Sequence, residues 1–127
     1  MERKKLFIID DDEDDQLFLH EAMNDLQIPI DCYYANNGEA ALKQLRDEGI
    51  PVPDFIFLDL NMPVMNGLKC LAEIKKCAQL KNIPVVVYST SSKKEYEEES
   101  KKLGAMNFFI KPPDFTGLTK YLKTFLS

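Results

Sequence analysis

The chain has 127 residues, the length of one domain with enough sequence to bury its own core. Hydrophobic residues make up 45% and charged residues 29%, which excludes a disordered, collagen-like or disulfide-scaffold chain. A balance of 16 Lys and Arg against 21 Asp and Glu leaves a net charge of -5, a field that repels nucleic-acid phosphates and anionic lipid.

The basic opening Arg3, Lys4, Lys5 is followed by an apolar run of only Leu6 to Ile9 before Asp10 interrupts it, too short for a secretory leader. No apolar stretch approaches the roughly 20 residues of a membrane span. Cys32, Cys70 and Cys77 lie far apart without a C-x-x-C pair, so reduced thiols are expected rather than a disulfide framework or a zinc site. These features place the chain in the cytoplasm, with neither nucleic acid nor membrane as a partner.

In chain order, Leu6 to Ile9 reads as a first strand, β-branched and aromatic residues bounded by acidic ones. Phe18, Leu19, Ala22, Met23 and Leu26 form one apolar stripe on a helix beginning near Glu13, whose acidic first turn complements the helix dipole. Ile30 to Ala35, with Asp31, Cys32 and Tyr33, suits an edge strand. A second helix follows the Asn36-Asn37-Gly38 turn and carries Ala40, Ala41, Leu42 and Leu45 until Gly49 stops it. Phe55 to Leu58 is a third strand, and a helix is predicted from about Gly67 through Leu71 and Ile74 to Leu80. Val85 to Tyr88 is a fourth strand. The polar helix from about Lys93 to Leu103 presents a solvated face with pairs such as Glu97 with Lys101, and Gly104 stands in its C′ position. Phe108 to Ile110 is a fifth strand, and a last helix from about Phe115 to Phe125 turns Leu118, Tyr121, Leu122 and Phe125 to the core.

Strands alternating strictly with helices imply five βα units, a parallel sheet with right-handed crossovers and helices on both faces. The fold class is therefore α/β, a three-layer α/β/α sandwich. Ligand chemistry in such a sheet gathers at the carboxyl ends of the strands. There stand Asp10, Asp11 and Asp12 after the first strand, Asp59 after the third, Ser89 and Thr90 after the fourth, and Lys111 and Pro112 after the fifth. A lone Asp after a strand is commonly a helix N-cap, and Asp12 or Asp14 suits that role. The set as a whole is chemically coherent: clustered carboxylates are costly to hold ionised without a hard cation among them. A lysine and a hydroxyl beside them supply the charge and donor that phosphoryl transfer needs, and a carboxylate can itself be the nucleophile.

The segments "FIIDDDE", "DFIFLDLNMPVMNG", "PVVVYSTS" and "GAMNFFIKPP", in this order and spacing, resemble the response-regulator receiver domain, the phosphoacceptor module of two-component signalling. The resemblance covers essentially the whole chain. It implies a single receiver domain over residues 1–127 with no effector domain, since the chain ends directly after the last helix, and a flavodoxin-like, CheY-like sheet in order 2-1-3-4-5.

It further implies that Asp59 is the phosphorylated carboxylate. Asp11 would ligate Mg²⁺ directly, Asp10 would act through metal-bound water, and Asn61 would offer its backbone carbonyl. Lys111 would pair with the phosphoryl oxygens, Ser89 would bond them through its hydroxyl, and Phe108 would be the aromatic that swings inward when Ser89 moves. Pro63 and Gly67 match the loop shaping the pocket floor, and the Lys111-Pro112 bond resembles the family's cis peptide. Thr90 departs from the small residue common in the family, which bears on access to the phosphate. Phe108 lacks the hydroxyl of the tyrosine in some relatives. "DDDEDDQLFL" and "YSTS" resemble the small receivers that serve phytochrome-type kinases.

Rival readings of the same residues fit their context less well. Asp10, Asp12, Asp14 and Glu21 imitate a calcium loop, but Asp15 occupies the place that needs Gly. Asp10 with Asp12 imitates a haloacid-dehalogenase-like phosphatase, a fold for which the chain is short. His20 reads as a solvent-facing residue rather than a phosphate carrier, and Cys70 and Cys77 as packing or surface residues. The expected function is a stand-alone receiver that takes its phosphoryl group from a sensor histidine kinase and signals to a downstream protein through its fourth helix, fifth strand and fifth helix. It would act as a monomer or a phosphorylation-linked homodimer, with no enzymatic activity beyond its own modification and dephosphorylation. A phosphorelay shuttle and a phosphorylation-independent adaptor are the alternatives, with the haloacid-dehalogenase-like phosphatase as the enzyme alternative behind them.

Overall fold

The computed structural model describes residues 4–27, 29–47, 49–60, 66–89, 94–110 and 115–126. Strands and helices alternate as β1 (Lys4–Ile9), α1 (Glu13–Asp25), β2 (Ile30–Ala35), α2 (Gly38–Arg46), β3 (Phe55–Asp59), α3 (Gly67–Lys76), β4 (Val85–Ser89), α4 (Lys94–Lys102), β5 (Asn107–Ile110) and α5 (Phe115–Leu126). All four strand pairings are parallel, as the element pattern predicts, and the strand order β2-β1-β3-β4-β5 is the one the family resemblance implies.

The period-2 alternation of side chains along a strand sorts the core into two layers. Phe7 and Ile9 of β1, Ile56 and Leu58 of β3, and Val85 and Val87 of β4 face a cluster completed by α2 (Ala41, Leu42, Leu45) and α3 (Cys70, Leu71, Ile74), with Tyr96 of α4 packed against it. The intervening Leu6, Ile8, Phe57, Val86 and Tyr88 face α1 (Leu19, Ala22, Met23) and α5 (Leu118, Leu122). Burial on both faces explains why the inner strands read as unbroken apolar runs. Each fully buried Val or Ile there contributes about 1.5–3 kcal/mol. β2 is half-buried up to Ala35, as its edge position requires.

Side-chain caps set the helix starts. Asp12 accepts from the amides of Asp14 and Asp15 at 2.9 and 3.4 Å, Asn37 from Ala40 at 2.7 Å and Asn66 from Lys69 at 2.9 Å, satisfying amides that have no partner inside the helix. Gly104, at φ +99°, follows the end of α4 in the left-handed conformation expected there. One boundary differs from expectation. α3 stops at Lys76, because Cys77 turns to extended backbone and Lys75 Nζ donates to the carbonyls of Lys81 and Ile83 at 3.0 and 3.1 Å. Leu80 is still buried, so the apolar spacing runs on through a turn that is not helix.

Candidate functional site

Parallel register brings the strand ends to one edge of the sheet. Ile9 pairs with Leu58, which sets Asp10 beside Asp59, and Asp59 pairs with Tyr88 on β4. Asp10 is fully buried and Asp59 only 3% exposed, while Asp11 faces solvent. Carboxylate oxygens of these three residues all lie within 4.8 Å of one another. Three acids this close, two of them out of water, repel one another strongly, and an all-oxygen donor set of this kind matches a hard divalent cation. The residues present therefore fit such an ion.

Asp10 is held from several sides. Its Oδ1 accepts from the Asp12 amide at 2.9 Å, and its Oδ2 accepts from the Tyr88 hydroxyl at 2.7 Å. Its own amide donates to the Ala35 carbonyl at 3.0 Å. Its carbonyl accepts from Gln16 Nε2 at 2.7 Å, and the same nitrogen donates to Asn36 Oδ1 at 3.1 Å, tying the β1-α1 turn to the β2-α2 turn. Burial, reinforced by the charges of Asp10 and Asp59, pushes the Tyr88 phenol well above the usual tyrosine range, so it stays a donor throughout neutral pH.

The floor beneath Asp59 is set by glycine. A Cβ on Gly67 would lie 2.4 Å from the Asp59 carbonyl oxygen and 2.5 Å from Leu60 Cα, and the Gly67 amide donates to the Leu60 carbonyl at 3.0 Å. Only a residue without a side chain allows that approach. Ser89 ends β4, fully buried. Phe108, paired with Val87, is half-buried against the α2 and α3 side of the core.

Of the residues singled out in the sequence, the structure unites Asp10, Asp11 and Asp59, with Ser89 at the same edge of the sheet. Lys111, Asn61, Pro63, Thr90 and the Lys111-Pro112 bond lie outside the described residues. Asp12 is the α1 N-cap, which removes it from the paired-aspartate reading. Asp14 and Glu21 lie within the α1 helix, which removes the calcium-loop reading. His20 is exposed, with Nδ1 3.0 Å from the Tyr34 hydroxyl. Tyr88 and Gln16 are the site residues that sequence reasoning missed. A tyrosine following three valines in a strand was the available signal for the first, since a buried phenol needs a partner; nothing local marked the second.

The sequence profile of the response regulator receiver domain matches residues 6–123. The chain is 31% identical over 124 residues to response regulator Rcp1 of Synechocystis sp., covering 94% of this chain and 84% of that protein. It is 30% identical over 126 residues to sporulation initiation phosphotransferase F of Bacillus subtilis, covering 99% and 96%. It spans only 31% of the length of a protein-glutamate methylesterase/protein-glutamine glutaminase of Syntrophomonas wolfei, at 34% identity. Among solved structures, the phosphorylated cyanobacterial phytochrome response regulator RcpA superposes with a TM-score of 0.90 at 32% identity, over 98% of this chain and 91% of that one. The Mn²⁺-bound form of Rcp1 superposes with a TM-score of 0.86 at 30% identity, over 95% and 90%.

Proposed function

Because the chain belongs to the response regulator receiver family, we propose that it accepts a phosphoryl group on the carboxylate of Asp59 from the phosphohistidine of a sensor kinase and relays that state by protein contact. An Asp59 oxygen attacks phosphorus, the P–N bond breaks, and the electron pair leaves with the histidine imidazole. The product is an acyl phosphate that water later hydrolyses. The chemistry is directed at the protein's own side chain.

Asp11, Asp59 and the Asn61 carbonyl would hold Mg²⁺, with Asp10 reaching it through water. When bound, the ion neutralises charge on the phosphoryl oxygens. The Mn²⁺-bound form of Rcp1 supports a divalent ion in this pocket. The chain's own residues do the rest. Gly67 keeps the Asp59 backbone in place, Lys111 would pair with phosphoryl oxygens, and the Ser89 hydroxyl would donate to them. Phe108 would then move inward, changing the surface of α4, β5 and α5.

The observation that carries this reading is the convergence of Asp10, Asp11 and Asp59 oxygens within 4.8 Å at the carboxyl end of the sheet. A small phosphodonor with Mg²⁺ should add one phosphate by intact mass, and Asp59→Asn should abolish it. Labelling that survives the substitution would overturn Asp59 as the acceptor. The similarity to Rcp1 and to phosphotransferase F supports action as a stand-alone receiver, monomeric or paired on phosphorylation. No helix among the described residues is long and apolar enough to cross a membrane, and we place the protein in the cytoplasm beside its kinase. A phosphorelay shuttle is the second reading, favoured by the similarity to phosphotransferase F. Transfer of label from Asp59 to a second histidine protein would establish it.

A further inference from the structure

β4 reads Val85, Val86, Val87, Tyr88, Ser89, so a phenol follows three valines in the strand. The Tyr88 ring is buried and clamped by aromatic neighbours. Phe57 meets it edge-on with centroids 6.3 Å apart, and Phe109 stacks on it at 5.7 Å. Phe109 in turn stacks on Tyr121 at 4.0 Å. A phenylalanine would fill the same volume and keep the same ring contacts. The hydroxyl is therefore not needed for packing, yet it is aimed at Asp10 Oδ2 from 2.7 Å.

The other oxygen of that carboxylate is fixed by the Asp12 amide at 2.9 Å. Two donors from different strand ends thus set both the position and the plane of a fully buried carboxylate. An ionised carboxylate has about four acceptor sites, so these two bonds do not exhaust it, and its oxygens lie within 4.8 Å of those of Asp11 and Asp59. We propose that Tyr88 is a positioning residue for the divalent-cation site, its hydroxyl holding Asp10 in the orientation in which its oxygens join those of Asp11 and Asp59. The inference rests on the reading of these acids as a cation site. It adds a residue from the opposite face of the sheet to the one that bears Phe108. Pre-orientation of this kind removes the cost of ordering a ligand at the moment of binding.

The test is Mn²⁺ binding followed by the electron paramagnetic resonance signal of the free ion, in the wild-type protein, Tyr88→Phe and Tyr121→Phe. Tyr121 loses a hydroxyl in the same aromatic stack, one that lies 3.0 Å from Asn107 Nδ2. Tyr88→Phe should bind Mn²⁺ about tenfold more weakly, the usual scale for loss of an outer-shell partner, while Tyr121→Phe binds as the wild type does. In the metal-free proteins the Asp12 amide resonance should move in Tyr88→Phe and stay in Tyr121→Phe. Equal Mn²⁺ affinity in wild type and Tyr88→Phe would overturn the proposal while leaving the cation site intact. Failure of the wild type to bind Mn²⁺ would instead remove the site on which both readings stand. Should Tyr88→Phe not fold, the Tyr88 ring-carbon resonances of the wild type decide: a shift on adding Mg²⁺ supports the coupling, and their invariance refutes it.

Discussion

At Gly67 the space a side chain would need is filled by the backbone that carries Asp59. Gly67→Ala must push Asp59 and Leu60 aside, at a cost of about 1–3 kcal/mol of stability. The same shift should slow phosphate incorporation, and chemical denaturation with intact-mass kinetics checks both. Cys70 shows what burial does to a thiol: its pKa is pushed up to about 12, and it packs among Leu71 and Ile74. Alkylation of the native protein should therefore modify half-buried Cys32 and Cys77 well before Cys70, as peptide mapping would read. Gly67 was legible from its Asn-Gly signal; that Cys70 is buried while Cys77 is only half-buried was not, because the sequence left packing and surface roles open for both. The Tyr88 hydroxyl was visible only as an oddity after three valines, because its partner lies 78 positions away.

Among the elements, α1 depends most visibly on its cap. Asp12 holds two amides of the first turn, and Glu13, Asp14 and Asp15 crowd the same end, where the dipole favours negative charge. Asp12→Ala should cost about 1 kcal/mol, measured as a fall in the urea midpoint at constant slope. The Glu97–Lys101 pair, which the sequence foretold, is formed at 3.6 Å but with side chains 44% and 67% exposed. Screened by water, it contributes little, so Glu97→Gln should leave the midpoint nearly unchanged. Strand and helix order, caps and the edge character of β2 could all be read from spacing and turn residues. The end of α3 could not, because a lysine reaching two carbonyls of the following turn overrides an apolar rhythm that continues to Leu80.

For the molecule as a whole, a divalent cation held at the acidic edge of the sheet would link stability to its concentration. Mg²⁺ at 100 times its dissociation constant should stabilise the fold by about 2.7 kcal/mol, raising the melting temperature by about 10 °C, and a chelator should reverse the gain. At alkaline pH, burial acts on Cys70, pushing its thiol from the ordinary 9.0 up to about 12. Its neutral thiol contributes fully below pH 9.0; above that only the unfolded chain sheds the proton, so stability falls as pH climbs toward 12. Burial of Tyr88 and Tyr121 acts in the same sense. Denaturant midpoints from pH 8 upward should decline, and Cys70→Ala should flatten part of that decline.

The amino-acid sequence alone determined the alternation of strands and helices, the two-faced burial of the inner strands and the acids at their carboxyl ends. Those properties are written in local periodicity, caps and turns, which need no knowledge of distant residues. Tertiary structure decided which oxygens converge and that Tyr88 reaches Asp10. Parallel register and the packing of β4 against β3 set those partnerships, and register is a relation between strands that no single stretch of chain contains.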